Sequence, residues 1–138
     1  MIDFINLVKL ALEEQGKTTQ DLFDDNIISK NSFYKYKQRY PSLNTLIKIV
    51  NYLEISMDYL FELSDENNYS PYNFDANTFY NNLMELTSRA KISGRKFCND
   101  LHYSRDNILR WKNGTHPSIQ TLIEIAKYFN CTIDDLIK

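Results

Sequence analysis

An internal repeat restricts the fold of this chain more than any other feature of its sequence. Residues 117–136 read PSIQTLIEIAKYFNCTIDDL and residues 41–60 read PSLNTLIKIVNYLEISMDYL, with nine of the 20 paired positions identical. After a shift of one residue the pairing continues upstream, where SKNSFYKYK at residues 29–37 aligns with SRDNILRWK at residues 104–112. A repeat of this length indicates one supersecondary unit that is present twice.

Length and composition fit two small helical domains. The chain has 138 residues, of which 43% are hydrophobic and 25% are charged, as in ordinary globular proteins. Three glycines, three prolines and few strand-like alternating runs favour an all-α protein. We predict a first domain over residues 1–63, a linker over residues 64–75 and a second domain over residues 76–138. Domains this small bury little core, so we expect them to pack on each other or on a second copy of the chain.

Helical periodicity and capping residues predict five helices in each domain. Capping boxes are expected at Thr18–Asp21 and at Thr132–Asp135, each at the start of a helix. The linker holds Pro71 and has no helical periodicity. It also carries three aromatic residues, which we expect to pack on one of the two domains.

The third helix of each domain is the most informative element. In the first domain Ser29 is a suitable N-cap, and we predict a helix that runs from there to about Gln38. In the second domain we predict a helix over residues 104–113, followed by Gly114 as the residue that ends it. The predicted inward residues are Phe33 and Tyr36 in the first domain and Ile108 and Trp111 in the second, and the outward positions are largely polar or basic.

The charge distribution is uneven. A net charge of −2 argues against nucleic-acid binding, because a basic balance is the usual sign of that function. However, residues 1–65 carry a net charge of −3 and residues 77–138 carry +3. Residues 28–40 contain four basic and no acidic residues, and residues 89–112 contain seven basic and two acidic residues. The positive charge therefore gathers around the predicted third helices.

Membrane and secreted classes receive no support from the sequence. No apolar run approaches the length of a membrane span, and the first residues lack the basic start of a signal peptide. The abundance of Asn, Lys, Ile, Tyr and Phe is typical of an AT-rich bacterial or phage genome. We therefore expect a cytoplasmic, nucleoid-associated protein without a membrane partner.

No catalytic, metal or cofactor site is predicted. Cys98 and Cys131 fall on positions that the repeat pairs with Phe23 and Ile55, so we expect small, reduced, buried side chains. The spacing of the two cysteines and two histidines matches no zinc pattern. A glycine-rich phosphate loop and a nucleophile with a nearby base are also missing from the sequence pattern. We expect no enzyme activity, no cofactor and no small-molecule ligand.

The segment ISGRKFCNDLHYSRDNILRWKNGTHPS in the second repeat resembles the phage repressor and Cro-like (Xre-type) helix-turn-helix family position by position. The segment TTQDLFDDNIISKNSFYKYKQRYPS in the first repeat resembles it less closely, because it lacks the glycine after the third helix. The resemblance implies an all-α chain of two tandem five-helix, lambda-repressor-like domains. It also implies binding to operator DNA, which this family usually performs as dimers.

The resemblance assigns roles to residues on the second and third helices, because the third helix of such a domain lies in the major groove and the second crosses the backbone. The implied base-facing residues are Lys30, Asn31, Ser32 and Lys35 in the first repeat, and Arg105, Asp106, Asn107 and Arg110 in the second. The implied phosphate contacts are Thr19, Lys37, Arg95, Lys112 and Asn113. The alternative is that the basic residues are a solvated helix surface, and that Asp106 interacts with the helix dipole.

Several positions depart from the family pattern. The turn between the second and third helices usually holds a glycine, but Ile27 and His102 stand there. A left-handed backbone is costly for isoleucine, so we expect the first turn to be rebuilt. Gly94 stands where the family often has a phosphate-binding glutamine. Tyr34 and Leu109 point outward in the pattern, which indicates either contact with thymine methyl groups or a protein interface.

The leading hypothesis is a sequence-specific, DNA-binding transcriptional regulator in which both third helices contact one duplex as a pseudo-dimer. A protein-interaction module on the same scaffold, such as an antirepressor or an antitoxin-like partner, is the alternative that the acidic total favours. In a mixed arrangement the second domain binds DNA and the first mediates assembly, which fits the charge asymmetry. The expected partner is double-stranded DNA, and a homodimer or a protein partner stays open.

Overall fold

The chain is all-α in the computed structural model, which describes residues 3–138. Within this range it forms ten α-helices and one short 3₁₀ helix, and no strand. Its internal contacts divide it into Met1–Asn73, here called the first unit, and Phe74–Lys138, called the second unit. The all-α prediction is confirmed for the described residues. Residues 1 and 2, with which the first predicted domain begins, lie outside them.

Each unit contains five α-helices among the described residues. Those of the first unit are α1 (Phe4–Glu14), α2 (Thr19–Asp24), α3 (Lys30–Tyr34), α4 (Leu43–Leu53) and α5 (Met57–Leu60). The 3₁₀ helix (Lys35–Lys37) continues α3. Those of the second unit are α6 (Ala76–Arg89), α7 (Gly94–Leu101), α8 (Arg105–Lys112), α9 (Ile119–Phe129) and α10 (Ile133–Ile137). None of the helices described is long and apolar enough to cross a membrane.

The helices begin where the sequence supplies a side chain for the free backbone N–H groups. All ten N-cap residues are Asp, Ser or Thr, the types that accept such hydrogen bonds. Both predicted capping boxes are present, at Thr18–Asp21 and at Thr132–Asp135. The helix starts are therefore local properties of the sequence.

An aromatic contact holds the third helix of the second unit, and the 3₁₀ continuation of the third helix in the first unit, against the first helix. In the second unit, the rings of Phe79 and Trp111 meet edge to face with centroids 5.5 Å apart, and Phe79 is fully buried. In the first unit, Phe4 and Tyr36 repeat this contact at 6.0 Å. Such pairs add about 0.5–1.5 kcal/mol to the burial of the rings. The same internal packing in both units supports the tandem repeat, which stays a prediction.

The segment between the units is divided between them. Tyr72 is buried in the first unit, where its hydroxyl accepts the N–H of Met57 at 2.8 Å. The Tyr69 hydroxyl donates to the Asn51 side chain at 3.0 Å. Phe74, in contrast, lies against His116 of the second unit, with ring centroids 4.6 Å apart. The expectation that the three aromatic residues pack on one domain was therefore wrong, because the division between the units falls between Tyr72 and Phe74.

The two cysteines differ in burial. Cys98 is buried, as predicted, whereas Cys131 is half-buried. Cys131 follows the left-handed residue Asn130, which ends α9, and it lies in the short loop before α10. Its partner in the repeat, Ile55, lies at the same place, after the left-handed Glu54 and before α5, but is buried.

Replacement of Lys91 by glycine tests how much free energy of unfolding is lost when a non-glycine residue adopts the left-handed conformation after the first helix of a unit. Lys91 follows α6 with φ 55°, and Gly16 follows α1 with φ 68°. We expect Lys91→Gly to raise the free energy of unfolding by roughly 1 kcal/mol, because the left-handed conformation penalises a side chain. Thermal and urea unfolding without DNA would measure it. The exposed helix residue Lys127 is the matched control, since Lys127→Gly should destabilise by a similar amount. Equal destabilisation by both variants would contradict the prediction.

Candidate nucleic-acid interface

Helix α8 is anchored through one side only. Its N-cap Ser104 accepts the backbone N–H of Asp106 at 3.2 Å. Trp111 is 5% exposed and meets the rings of Phe79 and Tyr103 edge to face. The helix ends at Lys112, and Gly114 follows with φ 103°, a conformation that suits glycine. The side of α8 opposite Trp111 is therefore left to solvent.

The turn between α7 and α8 is short and tightly bonded. His102 takes the left-handed conformation with φ 60°, and the N–H of Tyr103 reaches back to the carbonyl of Cys98 at 2.8 Å. The Tyr103 hydroxyl donates to Glu124 on α9 at 2.5 Å, and burial, followed by this bond, raises the pKa of Tyr103. Burial also raises the pKa of the Cys98 thiol. These contacts join the turn to the body of the second unit.

Gly94 lets the start of α7 approach α8 closely. A Cβ atom built at this position would lie 3.3 Å from Cδ1 of Ile108, which is closer than ordinary van der Waals contact. The glycine that stands in place of a polar family residue therefore has a packing reason. A larger side chain here would press on the inner side of α8.

The predicted base-facing residues of the second unit are mostly exposed. Arg105, Asp106 and Arg110 are exposed, and Asn107 is half-buried. The predicted phosphate contacts Arg95, Lys112 and Asn113 are exposed as well. Three ion pairs occur among the described residues, Arg89–Glu85, Lys96–Asp100 and Lys138–Asp134, and none involves α8. The cationic side chains of α8 thus form no ion pair within the described chain, although the helix also carries Asp106.

The third helix of the first unit changes its geometry before its end. Its α-helical part ends at Tyr34, and the 3₁₀ helix continues it to Lys37, with Gln38 as the C-cap, within one residue of the predicted end at about Gln38. The N-caps Ser29 and Ser42 are 13 residues apart, one fewer than Ser104 and Ser118. A 3₁₀ helix rises about 2.0 Å per residue against about 1.5 Å in an α-helix. Three residues in the 3₁₀ helix therefore extend about 1.5 Å further than three α-helical residues, which is the rise of about one residue.

The other candidates of the first unit differ in accessibility. Lys30 and Asn31 are exposed, and Thr19 is half-buried. Ser32 is also half-buried, and its hydroxyl is engaged with the N-cap hydroxyl of Ser29 at 2.9 Å. Ser32 therefore has less hydrogen-bonding capacity left for a base than the sequence pattern indicated.

The first turn is rebuilt by one residue. The left-handed conformation falls on Asn26, with φ 57°, and not on Ile27. Asparagine tolerates this conformation better than a β-branched residue does. The two N-caps that flank the motif are eleven residues apart in each unit, but α2 has six residues and α7 has eight. The first unit thus ends its second helix earlier and lengthens the turn.

The second helices of the two units differ in charge. Helix α2 carries Asp21 and Asp24, its C-cap is Asp25, and it has no basic residue. Helix α7 carries Arg95 and Lys96 together with Asp100. Because the second helix of such a motif lies across the DNA backbone, the carboxylates of α2 oppose phosphate contact. The second helix is therefore acidic in the first unit and carries two cations in the second.

A tyrosine–aspartate hydrogen bond, which our sequence reasoning missed, joins the fourth helix to the end of the second helix in each unit. The Tyr128 hydroxyl donates to Asp100 at 2.7 Å, and the Tyr52 hydroxyl donates to Asp25 at 2.5 Å. The bond to Asp25 raises the pKa of Tyr52 to about 12. The repeat already aligned the two tyrosines, and that alignment was the available signal.

Metal binding has no geometric support in the part of the chain that the structure describes. There, no three His, Cys, Asp or Glu side chains lie close enough together to hold a metal ion. His116 is instead in contact with the ring of Phe74, with centroids 4.6 Å apart.

Comparison with known families locates a DNA-binding domain in the second unit. Residues 82–138 match the Cro/C1-type HTH DNA-binding domain. The matched residues include all of α7 to α10 and most of α6, and they are less than half of the chain. No curated protein and no solved structure matches the chain significantly. The match supports a DNA-binding regulator in general, of a fold that is not normally enzymatic.

Removal of the Tyr128 hydroxyl should change the titration of Asp100. The hydrogen bond from Tyr128, followed by that from Lys96, lowers the pKa of Asp100 in the folded state. A lowered folded-state pKa stabilises the protein above the ordinary carboxyl pKa, and this contribution is lost as pH falls through the folded value. We expect Tyr128→Phe to raise the pKa of Asp100 and to weaken that acid dependence. Carboxyl NMR titration measures it, with Tyr80→Phe on α6 as the matched control. An unchanged pKa of Asp100 in Tyr128→Phe would disprove the assignment.

Proposed function

We propose that the protein is a sequence-specific DNA-binding transcriptional regulator whose helix α8 enters the major groove. The observation that carries this proposal is the exposed cationic side of α8, which lies opposite the buried Trp111 and forms no ion pair within the described chain. An α-helix with such a side fits the width of the major groove. The Cro/C1-type match over residues 82–138 supports the same function.

The side chains of the second unit suit distinct roles. Arg105 and Arg110 carry the planar, forked donors that recognise guanine in the major groove. Asn107, which is half-buried, suits adenine. Asp106, in the first turn of α8, either accepts from a cytosine or stabilises the positive end of the helix.

Contacts to phosphate would position α8 without reading sequence. Arg95 lies in the first turn of α7, and Lys112 and Asn113 lie at the end of α8. All three are exposed. Cationic and amide donors at both ends of the motif would fix its orientation on the backbone.

We assign the first unit an assembly role instead of a second base-reading role. In a pseudo-dimer, the first unit would also contact DNA. Its base contacts would be made by Lys30, Asn31, Ser32 and Lys35, and its phosphate contacts by Thr19 and Lys37. The carboxylates of α2 and the early end of α3 weigh against that arrangement. A unit that keeps the fold but loses the charge pattern fits a role in contacts with protein.

Paired alanine variants distinguish these arrangements. We expect Arg105→Ala to weaken binding to a selected duplex by roughly 1–3 kcal/mol and to relax preference at one base pair, as for a bidentate base contact. Lys30→Ala should bind as the unaltered chain does. Fluorescence anisotropy on a duplex selected from a random pool measures both. The control Arg89→Ala removes one charge from α6, outside the motif.

Each outcome of that comparison is informative. Similar losses in Arg105→Ala and Lys30→Ala would establish the pseudo-dimer and contradict the assembly role. Binding that survives both changes would remove these residues from the interface. Lack of binding to any duplex at low salt would favour the protein-interaction module.

A salt series tests the phosphate contacts separately. Binding should weaken linearly in a plot of log affinity against log salt concentration, because each phosphate contact releases counterions. We expect Lys112→Ala to lower the slope by about 1 without changing the preferred sequence. Lys127→Ala on α9 removes the same charge and should leave the slope unchanged. Equal slopes for the unaltered chain and Lys112→Ala would exclude this contact.

A further inference from the structure

Leu109 is an exposed apolar residue in the middle of α8, and the roles assigned above do not use it. Its side chain is 56% exposed, the highest value among the exposed large apolar residues of the described chain. The other three, Leu10, Tyr34 and Leu63, belong to the first unit. A single exposed leucine is ordinary on a protein surface, so its position on the helix decides its meaning.

The helix geometry places Leu109 at the centre of the exposed side. Successive residues of an α-helix are about 100° apart, so Leu109 and Trp111 are separated by about 200° and lie nearly opposite each other. Trp111 is the buried anchor of α8. Arg105 precedes Leu109 by one turn, Arg110 follows it directly, and both are exposed. The leucine therefore lies at the centre of an exposed surface that carries two arginines and also the exposed carboxylate of Asp106.

The residue of the first unit that aligns with Leu109 shows that a side chain at this helix position can also pack against its own unit. The aligned residue of the first unit is Tyr34, whose ring lies 5.4 Å from that of Phe33 and 6.3 Å from that of Phe23. Tyr34 thus packs partly against its own unit and is 38% exposed, whereas Leu109 is 56% exposed.

We propose that Leu109 recognises a thymine by packing against its 5-methyl group, an inference that rests on the proposed entry of α8 into the major groove. The thymine methyl is the apolar group that base edges present in that groove. A branched aliphatic side chain excludes water from it without competing for hydrogen bonds. Leu109 then supplies recognition of an A·T pair. The arginines do not supply it, because they recognise guanine.

The spacing also gives the expected place of the thymine. Arg105 and Leu109 are four residues apart, which corresponds to about 6 Å along the helix axis. Base pairs are stacked about 3.4 Å apart. If α8 follows the groove, the thymine lies roughly two base-pair steps from the guanine that Arg105 contacts.

Deoxyuridine, which lacks only the 5-methyl group of thymidine, is the probe. A duplex is selected from a random pool with the full chain, and each thymidine is then replaced in turn. We expect one replacement to weaken binding of the unaltered chain about fourfold, as for one methyl group of about 0.8 kcal/mol. Leu109→Ala should bind the thymidine and deoxyuridine duplexes equally. Leu10→Ala, at a similarly exposed leucine of α1, should keep the fourfold penalty.

The outcomes separate this contact from DNA binding itself. An unchanged penalty in Leu109→Ala, or no penalty at any thymidine, overturns the methyl contact and leaves the DNA-binding function standing. Failure to select any duplex overturns both. Sedimentation measures the oligomeric state of the same variants. If an oligomer of the unaltered chain dissociates in Leu109→Ala while the deoxyuridine penalty persists, Leu109 belongs to a protein interface and the methyl contact is overturned. The variant should fold, since the site is exposed and alanine favours a helix.

Discussion

The burial of one aromatic side chain on the inner side of the third helix is the interaction on which the rest of the second unit depends. Trp111 lies between Phe79 of α6 and Tyr103 of the turn, so the rotation of α8 about its own axis is set by that contact. Once the indole is inside, the helical period directs Arg105, Leu109 and Arg110 outward. The chemistry of the surface therefore follows from the packing of the core, and not from separate contacts on the outside.

The turn that precedes this helix shows how two similar sequences reach the same motif by different backbones. In the second unit His102 takes the left-handed conformation, and α7 continues up to it. In the first unit the same conformation moves to Asn26, so that isoleucine avoids it and the helix ends earlier. The distance between the flanking N-caps is nevertheless the same in both units. The second helix and the turn after it therefore have the same total length in both units, although the helix ends at a different position.

The charge of the second helix is the main difference between the two units that bears on DNA binding. Both contain five α-helices among the described residues and repeat the same aromatic and tyrosine–aspartate contacts. Yet α2 is acidic where α7 carries two cations, and the charged groups near a duplex decide whether association is favourable. A unit with an acidic second helix can still retain this fold, because its core is formed by inner apolar residues. This is the physical basis for assigning different functions to the two units.

The sequence by itself determined the all-α class and the positions of the helix starts, because capping and periodicity are local properties. It also identified exposed candidates such as Arg105 and Arg110. The tertiary structure alone decided where α3 ends, which residue makes the first turn, and how Tyr72 and Phe74 are divided between the units. It likewise revealed the bonds from Tyr52 and Tyr128 and the reason for glycine at position 94. These features depend on contacts between residues far apart along the chain, and local sequence patterns carry little information about such contacts.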